Sequence, residues 1–276
     1  MESECGRPLG LRPLNDEDIV VADAYLGIFS VNFKKGQHSL ILGSETHIRG
    51  ERPRFLNDIE VINEDVLLFT DSSSRWGRRH LMNILLESIP NGRVLRLIRS
   101  TGKIDVIIDK LFFPNGIQVF PDLQSFLVAE TGAARIIRHW IAGPKMGETE
   151  IFIDNLPGLP DNIRLGSNQT FWLGLSAIRH SGQFSVLDYF ANKPYIRKFI
   201  LGIVPARLWG WLIPTLTTKH AMILQLSKEG QIIASAHDPT GQRISEVSQI
   251  TEAGEYLYLG SYRAHHIARI RKNLII

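Results

Sequence analysis

The stretch FLNDIEV, Phe55 to Val61, holds a short pattern that recurs down the chain: two polar or small residues, then Ile or Val, at the head of a short strand. It appears as Asn57-Asp58-Ile59, Asn115-Gly116-Ile117 and Asp161-Asn162-Ile163, with a fainter copy at Ser245-Glu246-Val247. Recurrence at intervals that are a fraction of a domain marks a repeat architecture. It also puts amide and carboxylate oxygens at equivalent points of successive repeats.

Around each copy the sequence reads as four short strands. In the second repeat FLNDIEV is followed by VLLFTD (Val66 to Asp71), RVLRLI (Arg93 to Ile98), a turn at Thr101-Gly102, and IDVII (Ile104 to Ile108). The third repeats this with Pro114 to Val119, SFLVAE (Ser125 to Glu130), Arg135 to Trp140, and Glu150 to Asp154. The first runs from Leu9 through Ile19 to Asp23, Gly27 to Asn32 and Ser39 to Leu42. The fourth starts at Asp161, passes Thr170 to Leu175, is interrupted, and resumes at Ala221 to Leu226 and Gln231 to Ser235. The fifth holds Glu246, Tyr256 to Gly260 and Ile267 to Arg271, and lacks an outer strand. Runs of five or six residues separated by Gly, Pro or Asp turns are strand signals. Four-strand units with a period of roughly 45 residues predict an all-β fold of the β-propeller type, five blades being visible. A β-solenoid fits less well because its repeats are shorter.

Bulk composition narrows the partners. Hydrophobic residues make up 44% and the formal net charge is +3, so a core can form and no strong basic field exists. Arg75, Arg78, Arg79 and His80 are the nearest thing to a basic cluster and read as a solvated loop, with no aromatic interleaving of the kind nucleic acid needs. The acidic start Met1-Glu2-Ser3-Glu4 shows no signal peptide. Cys5 is the single cysteine, so no intrachain disulfide forms. Asn168-Gln169-Thr170 is a glycosylation sequon between two strands. The interruption, Ser176 to His220, has an apolar centre from Phe199 to Thr215. It reads as an amphipathic insertion over one face, or as a lid or interfacial membrane contact through Trp209 and Trp211. Pro205, Arg207 and Pro214 argue against a span.

The stretches CGRPLG, VADAYLGIF, FLNDIEV, FTDSSSRW, FPNGIQV, LPGLPDNIR, HDPTG and ISEV resemble the strictosidine synthase-like family, over essentially the whole chain. The resemblance implies a six-bladed β-propeller, distantly similar to paraoxonases, gluconolactonases and diisopropyl fluorophosphatase, with about five blades present in residues 1–276. Family members of this type begin with a cytoplasmic tail, one membrane-spanning helix and a first blade. The expectation is a single propeller domain incomplete at its N-terminus, with the anchor absent from this chain. The full-length form is expected to be a single-pass membrane protein with a lumenal or extracellular propeller. Cys5 would then have lost an upstream partner. Two flanking blade faces would also be exposed, built from Ile19, Val21 and Ile28 at one end and Leu257, Leu259 and Ile267 at the other.

The resemblance also supplies a site. In its calcium-dependent members one Ca²⁺ sits in the central tunnel, and Asn57, Asn115, Asp161 and Asn162 fall on ligand positions. Calcium accepts several hard oxygen ligands, amide carbonyls included. The plainer reading is that these residues satisfy backbone groups at strand ends, where Asn and Asp are common. Two departures stand out: a Glu ligand from the first blade is missing, and Asp23 replaces a His, leaving it only to orient water. The strictosidine synthases use one Glu as acid–base group, and Glu246 lies near that position; it reads equally as a salt-bridge partner of Arg243 or Arg263. The function implied is calcium-dependent arylesterase- or lactonase-like hydrolysis of a small ester or lactone. The alternatives are a non-catalytic ectodomain acting through its surface and an amine–aldehyde condensing enzyme. Neighbouring His265 and His266 point to opposite faces of a strand and do not share a metal. Ser72-Ser73-Ser74 has no nucleophile-elbow setting, which excludes a serine hydrolase.

Overall fold

The computed structural model describes residues 6–179, 186–205, 208–209 and 219–275. The repeats resolve into five antiparallel sheets among these residues, the last with three strands, and the chain is an all-β protein of the β-propeller class. It divides into two compact units, residues 1–119 and 120–276.

In the first unit β1 (Pro8–Pro13), β2 (Ile19–Asp23), β3 (Gly27–Asn32) and β4 (Gln37–Gly43) pair in chain order. So do β5 (Leu56–Val61), β6 (Val66–Asp71), β7 (Gly92–Ile98) and β8 (Lys103–Leu111). A short helix, α1 (Leu81–Glu87), lies between β6 and β7. The unit ends with β9 (Pro114–Val119), which packs against β5 and β6. Strand alternation aims Val20, Ala22 and Ile28 at Ile59, Leu67, Phe69 and Leu95, forming one core. Gly10 permits the approach of β1 to β5: a Cβ there would lie 2.7 Å from the Cα of Asp58.

The second unit holds β10 (Ser125–Glu130), β11 (Arg135–Trp140) and β12 (Thr149–Ile153), then β13 (Gly158–Leu165), β14 (Phe171–Ile178), β15 (Ala221–Leu226) and β16 (Ile232–Asp238). It closes with β17 (Val247–Ala253), β18 (Tyr256–Ser261) and β19 (Ala268–Arg271). Strand β15 shows how one strand serves two cores. Met222, Leu224 and Leu226 join Leu127, Ile136 and Leu173 on one face, while Ala221 and Ile223 join Val247, Ile250 and Leu257 on the other. Each large side chain so buried contributes about 1.5–3 kcal/mol. Gly174 lets β14 meet β17, since a Cβ would fall 2.7 Å from the Ser248 carbonyl.

One expectation is corrected. Val21, Ile28, Leu257 and Leu259 are buried rather than exposed, while Ile267 is exposed. Ile28 and Leu257 face a neighbouring sheet inside their own units, which already covers them. The interruption of the fourth repeat contains α2 (Val186–Tyr189) and α3 (Pro194–Ile203). Pro194 starts α3, where its missing N–H costs nothing. Tyr195, Phe199 and Ile203, four residues apart, are exposed together, and Arg197 is buried with Nη2 donating to the Ala191 carbonyl at 3.1 Å. No helix among the described residues is long and apolar enough to cross a membrane. Cys5, Arg207, Trp211 and Pro214 lie outside the described residues.

Candidate active site

The end of β6 organises the polar part of the first unit. Asp71, Ser72 and Ser73 have no exposed surface. Asp71 Oδ1 accepts from the backbone N–H groups of Arg54 (3.2 Å) and Phe55 (3.1 Å), and Oδ2 meets Arg93 Nε at 3.0 Å. Burial pushes the Asp71 carboxyl up to about 6, against the opposing pull of Arg93 and the two amides. Ser72 Oγ donates to the Pro114 carbonyl at 2.7 Å and accepts from Asn57 Nδ2 at 3.0 Å. Thr70 Oγ1 donates to the Asn115 carbonyl at 2.8 Å and accepts from the Asp58 N–H at 3.0 Å. Asp58 Oδ2 accepts from the Ile117 N–H at 2.9 Å. The polar pair at the head of β5 therefore ties β5 to β9.

Asn57 and Asn115 are both buried. The Asn57 amide is oriented by its bond to Ser72, whereas Asn115 Oδ1 is buried with no hydrogen-bond partner among the described residues. An orphaned buried carbonyl oxygen calls for an explanation, and a hard cation is one that fits its chemistry. Asp23 is committed elsewhere. Its Oδ1 accepts from the N–H groups of Tyr25 (2.9 Å) and Leu26 (3.0 Å), closing the turn between β2 and β3.

The second unit places Glu246 immediately before β17. It is buried, and its backbone is left-handed, at φ 53°. That conformation is uncommon for a side-chain-bearing residue and accumulates at functional positions. Glu246 Oε2 lies 3.3 Å from Arg263 Nε, and Tyr262 lies beside the carboxyl. Arg243, the other partner read from the sequence, instead donates its N–H to Asp238. Burial raises the Glu246 carboxyl, with Arg263 and then Tyr262 pulling it down. The Tyr262 ring is partly exposed, but its hydroxyl end lies against Glu246 and the Ser176 carbonyl (3.4 Å). Burial, then the charges of Glu246 and Asp161, push that hydroxyl well above its ordinary range, so it remains a neutral donor. The N–H groups of Arg263 and Ala264 bond to Ser261 Oγ, each at 3.2 Å, and this turn presents Tyr262 and Arg263.

Asp161 and Asn162 lie midway along β13, where its pairing with β14 shifts register between Pro160 and Ile163; both are half-buried, and Asp161 acts electrostatically on Tyr262. Asn168 is exposed in the β13–β14 turn, at φ 55°. Sequence reasoning missed Tyr262, and it missed a device shared by two repeats. The hydroxyl after the second strand reaches the proline carbonyl before the next polar pair: Ser72 to Pro114, and Thr131 to Pro160 at 2.6 Å. The acid ending the second strand pairs with the Arg opening the third: Asp71 with Arg93, and Glu130 with Arg135 at 2.6 Å. The aligned strings FTDS and VAET, with RVLRLI and RIIRHW, carry both signals.

A protein-family model described as strictosidine synthase matches residues 57–144, which include Asn57, Asp71 and Asn115. Adipocyte plasma membrane-associated protein of Bos taurus is 39% identical over 98% of this chain, which spans 65% of that relative's length. The Rattus norvegicus protein of the same name is 38% identical, and this chain covers 71% of it. Among solved structures, the calcium-binding protein regucalcin of Agrobacterium tumefaciens superposes with a TM-score of 0.59 at 15% identity, over 96% of this chain and 71% of that one. A gluconolactonase of Xanthomonas campestris superposes at 0.56 and 17% identity, over 88% and 65%. At such identities these structures support the fold alone. The 38–39% identity to the mammalian relatives, over an alignment that spans 98% of the chain, decides more: the chain belongs to the adipocyte plasma membrane-associated protein family of strictosidine synthase-like propellers.

Proposed function

We propose that this protein is a hydrolase of small esters or lactones, with Glu246 as its acid–base group and calcium as its cofactor. The observation that carries this reading is Glu246 itself: a buried carboxyl on a left-handed backbone, its protonation raised by burial, beside a neutral tyrosine donor. An acid–base group is most effective when its pKa lies near the working pH. As carboxylate, Glu246 removes a proton from water as the water oxygen bonds to the acyl carbon. The same proton then passes to the leaving alkoxide oxygen as the C–O bond breaks. Arg263 and then Tyr262 limit how far burial neutralises the carboxylate.

Bound calcium would polarise the substrate carbonyl. In the first unit Asn115, with its orphaned Oδ1, and Asn57 are its candidate ligands. In the second unit Asp161 and Asn162 carry over to ligand positions by resemblance. The calcium-binding description of regucalcin and the gluconolactonase name support the assignment by analogy of fold. The relatives' name supports association with a membrane, and the exposed apolar side of α3 offers a contact for it. The exposed Asn168 is the proposed glycan acceptor.

The test is hydrolysis of phenyl acetate and of a γ-lactone, with and without a calcium chelator, for the wild type and Glu246→Gln. Turnover that survives both treatments overturns the reading. A second reading, amine–aldehyde condensation, is favoured by the same raised carboxyl, which can deliver a proton as readily as take one. Condensation without ester cleavage selects it. Absence of both activities selects an ectodomain acting through its surface.

A further inference from the structure

The first unit contains a cleft whose lining includes neither Asn57 nor Asn115. A cleft of about 410 Å³ opens between the β2–β3 turn, the segment before β5 and the segment before α1, with Tyr25, Leu26, Arg52, Pro53, Arg54 and Arg79 among its lining. That volume lies within the ordinary range for ligand sites. Three arginines line it against one acid, Glu45, and Glu45 already pairs with Arg52.

Arg54 has the geometry of a waiting partner. Its side chain is exposed and makes no ion pair or hydrogen bond among the described residues. Its backbone N–H is held at 3.2 Å by the fully buried Asp71, so the side chain springs from a fixed point. The Arg79 guanidinium lies over the Tyr25 ring, 5.2 Å from its centre, within cation–π range. The Asp23 turn fixes the backbone of Tyr25 and Leu26. Leu26 and Pro53 supply apolar surface between the charges.

We infer that this cleft binds a small organic anion: a carboxylate or phosphate head held by Arg54 and Arg79, on a compact aromatic or aliphatic body lying against Tyr25, Leu26 and Pro53. The guanidinium fork matches either head group. The sequence had read this basic cluster as a solvated loop. Tertiary structure adds Arg52, Arg54 and an aromatic wall to it.

Calorimetric titration of the full chain with benzoate, phenyl phosphate and the uncharged benzyl alcohol tests the assignment. At least one anion is expected to saturate, with benzyl alcohol at least about tenfold weaker, which corresponds to ~1.4 kcal/mol. Arg54→Ala and Arg79→Ala are each expected to weaken the anion about tenfold or more, and Glu45→Gln to strengthen it by freeing Arg52. Should Arg54→Ala melt earlier than wild type, Arg54→Lys replaces it, expected to retain charge but lose affinity for a forked head group. Glu246→Gln is expected to bind the anion unchanged, which separates this cleft from the proposed catalytic site. Saturation by neither anion below about 10 mM, equal binding of benzyl alcohol, or unchanged binding in the Arg54→Ala/Arg79→Ala double variant overturns the inference.

Discussion

Asp71 in the first unit and Glu246 in the second are both buried acids raised by burial, and both face an arginine. Their surroundings differ in kind. Asp71 ends a regular strand, takes two backbone amides on one oxygen and has Arg93 on the other. Arg93 is itself buried and also donates to the Ile48 carbonyl at 3.1 Å. Glu246 sits on a left-handed backbone, and its partners among the described residues are Arg263 and Tyr262, both partly exposed. An acid whose lone pairs are taken by backbone groups is a structural tie. One flanked only by exposed side chains has capacity left for a substrate proton. Burial and a raised pKa alone do not separate the two cases.

Substitutions test that contrast. The largest effect is expected in turnover: Glu246→Gln lowers kcat/KM for the ester by about 10²–10⁴-fold with little change in the melting temperature. A melting temperature that collapses with activity would place Glu246 with Asp71 as a tie. The largest stability effect is expected from Asp71→Ala, about 3–5 kcal/mol by chemical denaturation, because it leaves the buried Arg93 guanidinium and the buried Phe55 N–H without their acceptor. Asp71 also sets a pH dependence. Its folded carboxyl is lifted from 3.8 to about 6, so between those values the folded state holds the extra proton. Its contribution to stability is full below about 4 and is lost as pH rises through 6. Denaturation across pH 4–7 should show this slope in the wild type and not in Asp71→Asn.

A smaller effect compares the repeats directly. Ser72→Ala and Thr131→Ala each leave a buried proline carbonyl without its donor, at about 1–3 kcal/mol. Ser72→Ala is expected to cost more, since Ser72 also holds Asn57 while Thr131 donates only to Pro160. Equal losses would show that the Asn57 bond contributes nothing. The smallest is Asn115→Ala, within about 1 kcal/mol without calcium, because Oδ1 has no bond to lose. Its thermal shift on adding calcium is expected to fall below the wild type's; an unchanged shift removes Asn115 from the ligand set.

Local pattern determined a good deal by itself. Strand alternation in VLLFTD and SFLVAE, the Gly and Asp turns, and the recurrence of Asn57-Asp58-Ile59 at Asn115 and Asp161 specify strands, repeats and fold class, because period-2 patterning and turn chemistry are properties of adjacent residues. That the last repeat shows three strands among the described residues was legible for the same reason. Tertiary structure alone decided what the polar residues do. Asp23 and Glu246 are both acids beside a strand end, yet one closes a turn on its own backbone and the other meets Tyr262 and Arg263, sixteen and seventeen residues further along the chain. Asn57 is answered by Ser72 while Asn115 Oδ1 is left unanswered, although both open the same motif. Ile28 and Leu257 are covered because a neighbouring sheet reaches them, which no window of adjacent residues reveals. Hydrogen-bond satisfaction, desolvation and burial depend on groups distant in sequence and close in space. The sequence names the strands, and packing assigns each buried oxygen its work.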